Sequence, residues 1–148
     1  MENHKLNKRF KYRTFIIIAA SIILIYFYVY PKSYPLNKAI SNGDTILYSS
    51  GVYNEENLRH FIDSVAANKK SRITVTSYSK EGYPTIVYLQ FQSGIGIECT
   101  LDNTRNIYGR KFFKEKLSFD RISINHNNDV FLIDEDGKSL LIYQFQNN

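Results

Sequence analysis

An uncharged run of sixteen residues, 15–30, constrains this chain more than any other feature. Each large apolar side chain in such a run favours the bilayer by about 0.3 to 0.6 kcal/mol at the centre of a helix, so the ten present here contribute about 3 to 6 kcal/mol together. These ten are Phe15, Ile16, Ile17, Ile18, Ile22, Ile23, Leu24, Ile25, Phe27 and Val29. We therefore predict that residues 14–30 form a transmembrane helix whose partner is membrane lipid.

The length of the run and the charges around it predict how this helix lies. Sixteen helical residues rise about 24 Å, less than the roughly 30 Å of the hydrocarbon layer, so aromatic residues at both ends are expected to hold it at the headgroups. Lys32 and Lys38 follow the run, whereas five basic residues precede it: Lys5, Lys8, Arg9, Lys11 and Arg13. Because basic residues favour the cytoplasmic side, we predict a cytoplasmic tail over residues 1–13 and an extracellular C-terminal part.

A cleaved signal peptide is the main alternative to this anchor. It would share the basic start and the apolar run, but it needs a small-x-small cleavage site just beyond the run. Residues 29–33 offer no such site, and the small residues 19–21 lie inside the run. The single cysteine, Cys99, is too far along the chain to take an N-terminal lipid. The sequence therefore favours an uncleaved anchor in the cell membrane.

The formal net charge of +5 belongs to the N-terminal segment. Residues 1–35 contain six Lys and Arg and one Glu, whereas residues 36–148 contain thirteen charges of each sign. A neutral domain lacks the basic face that binds phosphate backbones, so no nucleic-acid partner is expected. One cysteine cannot form an internal disulfide. Because Cys99 alternates with apolar residues in a strand-like run, it is expected to be a small core residue.

The C-terminal part is expected to be one domain attached through a linker. Residues 31–43 contain two prolines and several Ser and Asn residues, which predicts the linker, and residues 44–148 form the predicted domain. A helix is predicted over residues 55–67, because four apolar residues recur at helical spacing. The four are Leu58, Phe61, Ile62 and Val65. Asn54 stands where a capping residue is expected, just before two acidic residues.

Period-two alternation replaces the helical pattern from residue 72 onward. Short β-rich runs are separated by turn sequences that contain Gly or Asn, which is typical of antiparallel hairpins. The predicted strands are 45–48, 72–79, 85–92, 95–102, 119–125, 129–133 and 139–145. We therefore predict an α+β fold, in which one N-terminal transmembrane helix precedes a mainly antiparallel sheet with one amphipathic helix packed on one face.

Four short segments between residues 51 and 109 carry a family resemblance. They are Val52-Tyr53-Asn54, Asn68-Lys69-Lys70, Tyr78-Ser79-Lys80-Glu81-Gly82-Tyr83-Pro84, and Asp102-Asn103-Thr104-Arg105 followed by Tyr108-Gly109. In order and spacing they resemble a family of small exported proteins of Gram-positive bacteria that is known only as a domain of unknown function. The resemblance implies a membrane-anchored or lipoprotein-type location and a fold, and no assigned activity. The family carries acidic residues where this chain has Tyr83 and Asn106.

No catalytic, cofactor-binding or metal-binding site is predicted. The sequence lacks the nucleophile, zinc and phosphate-loop motifs, and in the turn at 134–137 the calcium-loop pattern fails because Tyr143 stands where a bidentate Glu is required. An envelope-associated hydrolase or modifying enzyme is kept as an alternative. It would need His60, Asp102 and Arg105 within hydrogen-bond reach in one cleft.

Tyr83, Arg105 and Tyr108 are the predicted partner-binding residues. They lie in the turn and the loop that carry the resemblance, where exposed rings can contact a protein or a sugar. The leading hypothesis is a single-pass membrane protein that displays a small non-enzymatic binding domain outside the cell, where it contacts an envelope protein or a wall component. The second alternative, besides the enzyme, is a structural accessory subunit of a membrane complex.

Overall fold

The computed structural model describes residues 13–25, 33–48, 51–106 and 113–144. The chain divides into two compact units, Met1–Lys32 and Ser33–Asn148. The predicted cytoplasmic tail lies outside the described residues apart from Arg13, and so do the anchor residue Phe27 and the loop residue Tyr108.

The first unit contains one described helix, α1, over residues 13–25. Its apolar side chains are 53 to 70% exposed: Phe15, Ile16, Ile17, Ile18, Ile22, Ile23, Leu24 and Ile25. Ser21 donates its hydroxyl hydrogen to the carbonyl oxygen of Ile17 at 2.8 Å, so this polar group is paired within the helix. No helix among the described residues combines the length and the apolar character that crossing a bilayer requires.

The second unit contains two short helices and nine described strands. The helices are α2 (Leu36–Ser41) and α3 (Glu55–Ala66). The strands are β1 (Thr45–Tyr48), β2 (Gly51–Tyr53), β3 (Ser71–Tyr78), β4 (Pro84–Gln92), β5 (Gly96–Asp102), β6 (Lys114–Phe119), β7 (Arg121–Ile124), β8 (Asp129–Ile133) and β9 (Ser139–Gln144). They form a six-stranded sheet in the order β2-β1-β3-β4-β5-β6 and a three-stranded sheet in the order β7-β8-β9.

The predicted α+β fold with a mainly antiparallel sheet is confirmed. The segments predicted as 72–79, 85–92 and 95–102 form the antiparallel meander β3-β4-β5. One pair departs from the antiparallel plan, because β1 runs parallel to β3 with Thr45 opposite Val75. The chain reaches β3 from β1 through β2 and α3, which is the longer crossover that parallel strands need.

One hydrophobic core joins α3, one face of the large sheet and the small sheet. Leu58 and Phe61 of the predicted helical stripe are buried in it, and Ile62 and Val65 pack against it. The sheet contributes Ile73, Val75, Leu89, Phe91, Ile97 and Cys99, and the small sheet contributes Val130, Leu132, Ile142 and Tyr143. Each fully buried large apolar side chain stabilises the fold by about 1.5 to 3 kcal/mol. The predictions of one amphipathic helix on the sheet and of a buried Cys99 are confirmed.

The strand predicted over 119–125 divides into two strands in different sheets. Phe119 ends β6 and pairs with Ile97 in the large sheet, whereas Ile122 pairs with Leu132 in the small sheet. The chain changes sheets at Asp120, whose amide donates to the carbonyl of Ile133 at 2.9 Å. The apolar alternation changes phase at this point, from Phe119 to Ile122, and the prediction of one continuous strand overlooked that change.

Part of the segment predicted as a linker, 31–43, is folded in the structure. It contains α2, in which Ala39 is fully buried, and the carbonyl of Ala39 accepts a hydrogen bond from the amide of Asp44 at 3.1 Å. Asn54 occupies the position before α3, as expected, but its side chain does not cap that helix. Its amide group instead donates to the carbonyls of Ile40 and Asp44 at 3.3 and 3.0 Å. This side chain therefore ties α2 to the start of β1.

Candidate functional site

Six side chains from three neighbouring strands lie together on the face of the large sheet that points away from the core. The register places them in two cross-strand rows, Arg72-Gln90-Glu98 and Thr74-Tyr88-Thr100. Side chains alternate between the two faces of a strand, and the intervening row Ile73-Leu89-Cys99 is buried in the core. The two rows therefore form an outer surface in which Tyr88 is the one aromatic residue and the other five side chains are polar.

This outer surface is the floor of a cleft of about 750 Å³. Strand β1 begins only at Thr45, opposite Val75, so the first four residues of β3 have no strand beside them in the β1 direction. The space beyond the start of β1 is walled by the corner 42–44 and by α3. Asn57, His60 and Ser64 of α3 recur at helical spacing and line the wall. Because β1 does not extend alongside the first four residues of β3, the cleft is open at this edge of the sheet.

The charges that line the cleft nearly cancel. Arg72 and Glu98 are exposed and occupy the two ends of one cross-strand row. Of the described residues in the lining, Asp44 is the one further Lys, Arg, Asp or Glu, and it is buried. Among the described residues, no group of three His, Cys, Asp or Glu side chains is arranged to hold a metal ion. The cleft therefore offers hydrogen-bonding groups rather than a strong field of one sign.

Asp44 is held at the cleft border by two hydroxyl groups. Its Oδ2 accepts hydrogen bonds from the hydroxyl of Tyr34 at 2.8 Å and from Oγ1 of Thr76 at 2.7 Å. The Tyr34 hydroxyl also accepts from the side-chain amide of Asn42 at 2.9 Å, and the Tyr34 carbonyl accepts from the hydroxyl of Tyr78 at 2.9 Å. These bonds fix the corner that forms one side of the cleft.

The two tyrosines of this network remain protonated donors. Burial raises the pKa of Tyr34, and the hydrogen bond to Asp44 adds to the rise while that from Asn42 opposes it. Burial, with smaller contributions from Tyr34 and Asp44, raises the pKa of Tyr78 to about 12. Because both phenol groups hold their protons at physiological pH, each can donate the hydrogen bond described above.

A second acidic group, Asp102, ends β5 and organises the loop that follows. Its Oδ1 accepts from the amide and the hydroxyl of Thr104, at 3.1 and 2.6 Å, and its Oδ2 lies 3.2 Å from Nη1 of Arg105 and 3.9 Å from Nζ of Lys114. Burial alone would raise the pKa of Asp102, but the bonds from Thr104 and the charges of Arg105 and Lys114 together hold it below its usual value. Asp102 is therefore an ionised anchor for the loop.

Two cation–aromatic contacts connect this loop cluster with the residues around the cleft. The guanidinium carbon of Arg105 lies 5.6 Å from the ring centre of Tyr34, and Nζ of Lys114 lies 5.6 Å from the ring centre of Tyr88. Such contacts contribute about 0.5 to 1 kcal/mol at exposed sites. The Asp102 cluster and the cleft are therefore neighbours on one face of the sheet.

The structure places two of the three predicted partner-binding residues at one end of the large sheet. Tyr83 lies in the turn between β3 and β4, and Arg105 lies in the loop after β5. These connections meet because β4 begins where β5 ends, with Ile86 opposite Asp102. Tyr83 is half-buried and its amide donates to Oγ of Ser79 at 3.3 Å, so it is part of the turn structure.

The three residues of the enzyme alternative are divided between two places. Asp102 and Arg105 form an ion pair, whereas the exposed His60 lines the cleft, whose lining includes neither of them. Sequence reasoning did not select the cleft residues Arg72, Gln90 or Glu98. Their alternation with buried residues in β3, β4 and β5 marks them as one exposed face, but the sequence alone does not show that β1 is too short to cover the edge beside them.

A model of the DUF4362 family, described as a domain of unknown function, matches residues 42–130, which is more than half of the chain. The chain belongs to the DUF4362 family. The DUF4362 match confirms the resemblance to a family of unknown function and extends it at both ends. It contains every residue that lines the cleft, together with Asp102 and Arg105, but neither Tyr34 nor β9. No curated protein and no solved structure is significantly similar to the chain.

Proposed function

We propose that this chain is a single-pass membrane protein that displays its DUF4362 domain at the outer face of the cell as a non-enzymatic binding module. The N-terminal helix is the anchor, residues 1–13 are cytoplasmic, and the cleft above β3, β4 and β5 is the binding site. The partner is a component of the cell envelope, either a protein or a wall polymer.

The anchor is supported by sequence and by local structure. The run 15–30 has no charge, and the described part of it is helical with its apolar side chains exposed. The hydroxyl of Ser21 bonds to the backbone four residues earlier, which suits a position where water is absent. Five basic residues before the run, against two soon after it, favour a cytoplasmic N-terminus.

The binding role rests on one observation, the cleft lined by polar side chains on a rigid sheet. Binding pockets for small ligands have volumes of about 300 to 1,000 Å³, and the cleft, with about 750 Å³, lies in this range but has a more polar lining than most. Hydrogen bonds to both neighbouring strands hold the backbone of β4, which determines where the side chains of Tyr88 and Gln90 leave the sheet. This preorganisation lowers the cost of binding.

Photo-crosslinking on intact cells tests the binding role. A photoreactive amino acid replaces Gln90 in one variant of the full chain and Gln92 in another. Both positions are exposed glutamines on the same face of β4, but only Gln90 lines the cleft. We expect a covalent adduct with an envelope component at position 90 and little or none at position 92. Equal adducts at both positions, or none at either, would contradict a binding cleft.

A further inference from the structure

The ligand class of the cleft can be argued from the groups that a ligand would meet. The ligand class depends on the proposed binding function and adds to it the chemistry that the cleft recognises. From the cancelling charges, the polar lining and the single aromatic platform, we infer that the cleft binds an uncharged oligosaccharide, such as a segment of a neutral envelope glycan.

The electrostatics of the cleft disfavour charged ligands. Arg72 and Glu98 have opposite signs and flank Gln90 in one row, so an anion attracted by the first is repelled by the second. Asp44, the remaining carboxylate of the lining, is buried and already accepts two hydroxyl hydrogens. Among the described residues of the lining, a phosphate polymer or a polycation would therefore find no excess of opposite charge, although Lys114 and Lys116 lie at the β6 border.

The hydrogen-bonding groups match a ligand whose hydroxyls both donate and accept. The side-chain amides of Gln90 and of the wall residues Asn42 and Asn57 each carry an acceptor beside a donor. Thr74 and Thr100 add hydroxyl groups. Arg72 adds donors, and Glu98 adds acceptors. Each hydrogen bond to such an exposed group contributes about 0.5 to 1.5 kcal/mol net, so a ligand needs several well-placed hydroxyls to bind here. Sugar hydroxyls supply such paired donors and acceptors at close spacing.

The apolar surface in the cleft is too small for a protein partner. The aliphatic and phenylalanine side chains in the lining, Phe61, Ile73 and Leu89, are buried in the core. Protein interfaces and peptide grooves depend on apolar anchors in pockets, and none is open among the described residues of the cleft. Tyr88, 37% exposed, is the one aromatic surface of the floor.

Tyr88 provides the aromatic surface on which the C–H face of a saccharide can pack. Its ring stands between Thr74 and Thr100 in the central strand of the floor, so a sugar can place its C–H face on the ring while its hydroxyls reach the flanking polar groups. Nζ of Lys114 lies 5.6 Å from the ring centre on the β6 side, so the sugar would pack on the other face of the ring while Lys114 supplies one more donor at the border of the cleft.

Ligand-observed saturation-transfer NMR tests this inference with the full chain in lipid nanodiscs prepared without glycoside detergents. The probes are N-acetylchitotetraose and cellotetraose, with an uncharged Ser- and Gln-rich hexapeptide as the contrasting ligand. We expect binding of a tetrasaccharide that is independent of salt concentration. We expect Gln90→Ala and Tyr88→Ala each to weaken it about tenfold, as the loss of one well-made contact does. Gln92→Ala, on the same strand and outside the cleft, should leave it unchanged.

Binding of the peptide instead of either saccharide, binding that weakens as salt rises, or no saccharide binding would each overturn the oligosaccharide inference. Saccharide binding that Gln90→Ala and Gln92→Ala affect equally would overturn it too, because the sugar would then lie elsewhere. The crosslinking experiment separates this failure from failure of the proposed function. A position-90 adduct with a protein keeps the binding role and excludes the saccharide.

Discussion

The hydroxyl of Tyr34 donates a hydrogen bond to the buried carboxylate of Asp44, ten residues further along the chain, with 2.8 Å between the two oxygens. Tyr34 precedes the DUF4362 match, whereas Asp44 lies inside it and also accepts from Thr76 on β3. The residues just before the family domain are therefore part of its hydrogen-bond network, and they fix the corner that walls the cleft.

Removing the Tyr34 hydroxyl should destabilise this corner. Tyr34→Phe leaves Asp44 buried with one hydroxyl donor fewer, which costs about 1 to 2 kcal/mol of unfolding free energy. The measurement is urea unfolding of residues 33–148, which form a compact unit and are expected to fold alone, followed by circular dichroism.

Tyr88→Phe is the matched control for this variant, since its hydroxyl makes no hydrogen bond to any described residue. It should change the free energy of unfolding by less than about 0.5 kcal/mol. If Tyr34→Phe were as harmless as Tyr88→Phe, the network around Asp44 would not support the corner.

The structure also predicts that two glycines of one hairpin differ in their tolerance of a side chain. Gly96 has φ +96° and a Cβ there would lie 2.7 Å from the carbonyl oxygen of Phe119, whereas Gly94 has φ +78° and open space around it. Gly94→Ala should cost about 1 kcal/mol through backbone strain alone. Gly96→Ala should cost about 3 kcal/mol or more, because strain and overpacking combine.

Urea unfolding of the two glycine variants checks this difference. Ile97, the residue that follows Gly96, pairs with Phe119 at the junction where the chain changes sheets. A large loss of stability in Gly96→Ala therefore reports on that junction. Equal costs for the two variants would show that β5 and β6 are not as close as the structure has them.

Local sequence patterns predicted the elements that depend on local chemistry. The stripe of α3 and the alternation of β3, β4 and β5 follow from side-chain periodicity, so the main core was predictable. The cleft was not, because it depends on contacts between distant residues. Asp44 and Thr76 are 32 residues apart in sequence, and the register of β1 on β3 determines where the sheet edge is uncovered.

Contacts between distant residues also determine the structure around the loop that contains Arg105. Arg105 was selected because it lies in the family-like loop, and in the structure its guanidinium pairs with Asp102. The turn-forming role of Asp102 and Thr104 was predictable because Asp binds backbone amides two residues on. The ion pair from Lys114 was not, since β6 reaches Asp102 only through strand pairing.

Asp102 should make the stability of residues 33–148 sensitive to acid. Its pKa in the folded state lies below its usual value of 3.8, so the unfolded chain binds more protons near that pH. Its contribution is fully present above about pH 4 and is lost as pH falls through the folded pKa. Asp102→Asn should cost about 2 kcal/mol at neutral pH.

Unfolding free energies of the parent segment and Asp102→Asn, measured from neutral pH downward, check this prediction. The difference between the two should shrink as the pH falls below about 4, because the parent carboxylate is then protonated. Thr104→Val is a useful companion, as it removes the 2.6 Å hydroxyl bond but keeps the charge. A difference that stays constant down to the lowest pH would contradict an ionised, ion-paired Asp102.

The central claim, that the folded domain stands outside the cell on a retained anchor, can be tested with one cysteine. Burial, helped by the Glu115 carboxylate, raises the pKa of Cys99 to about 11, and its side chain is inaccessible, so the native chain gives little background with thiol reagents. Lys138→Cys places a thiol in the β8–β9 turn, where the Lys138 side chain is 77% exposed.

Labelling of Lys138→Cys on intact cells with a membrane-impermeant maleimide is the decisive measurement. We predict labelling of a full-length chain that fractionates with the membrane, while Asn7→Cys in the N-terminal tail is labelled only after permeabilisation. Labelling of Lys138→Cys only after permeabilisation, or recovery of a labelled chain that has lost residues 1–30, would contradict the account.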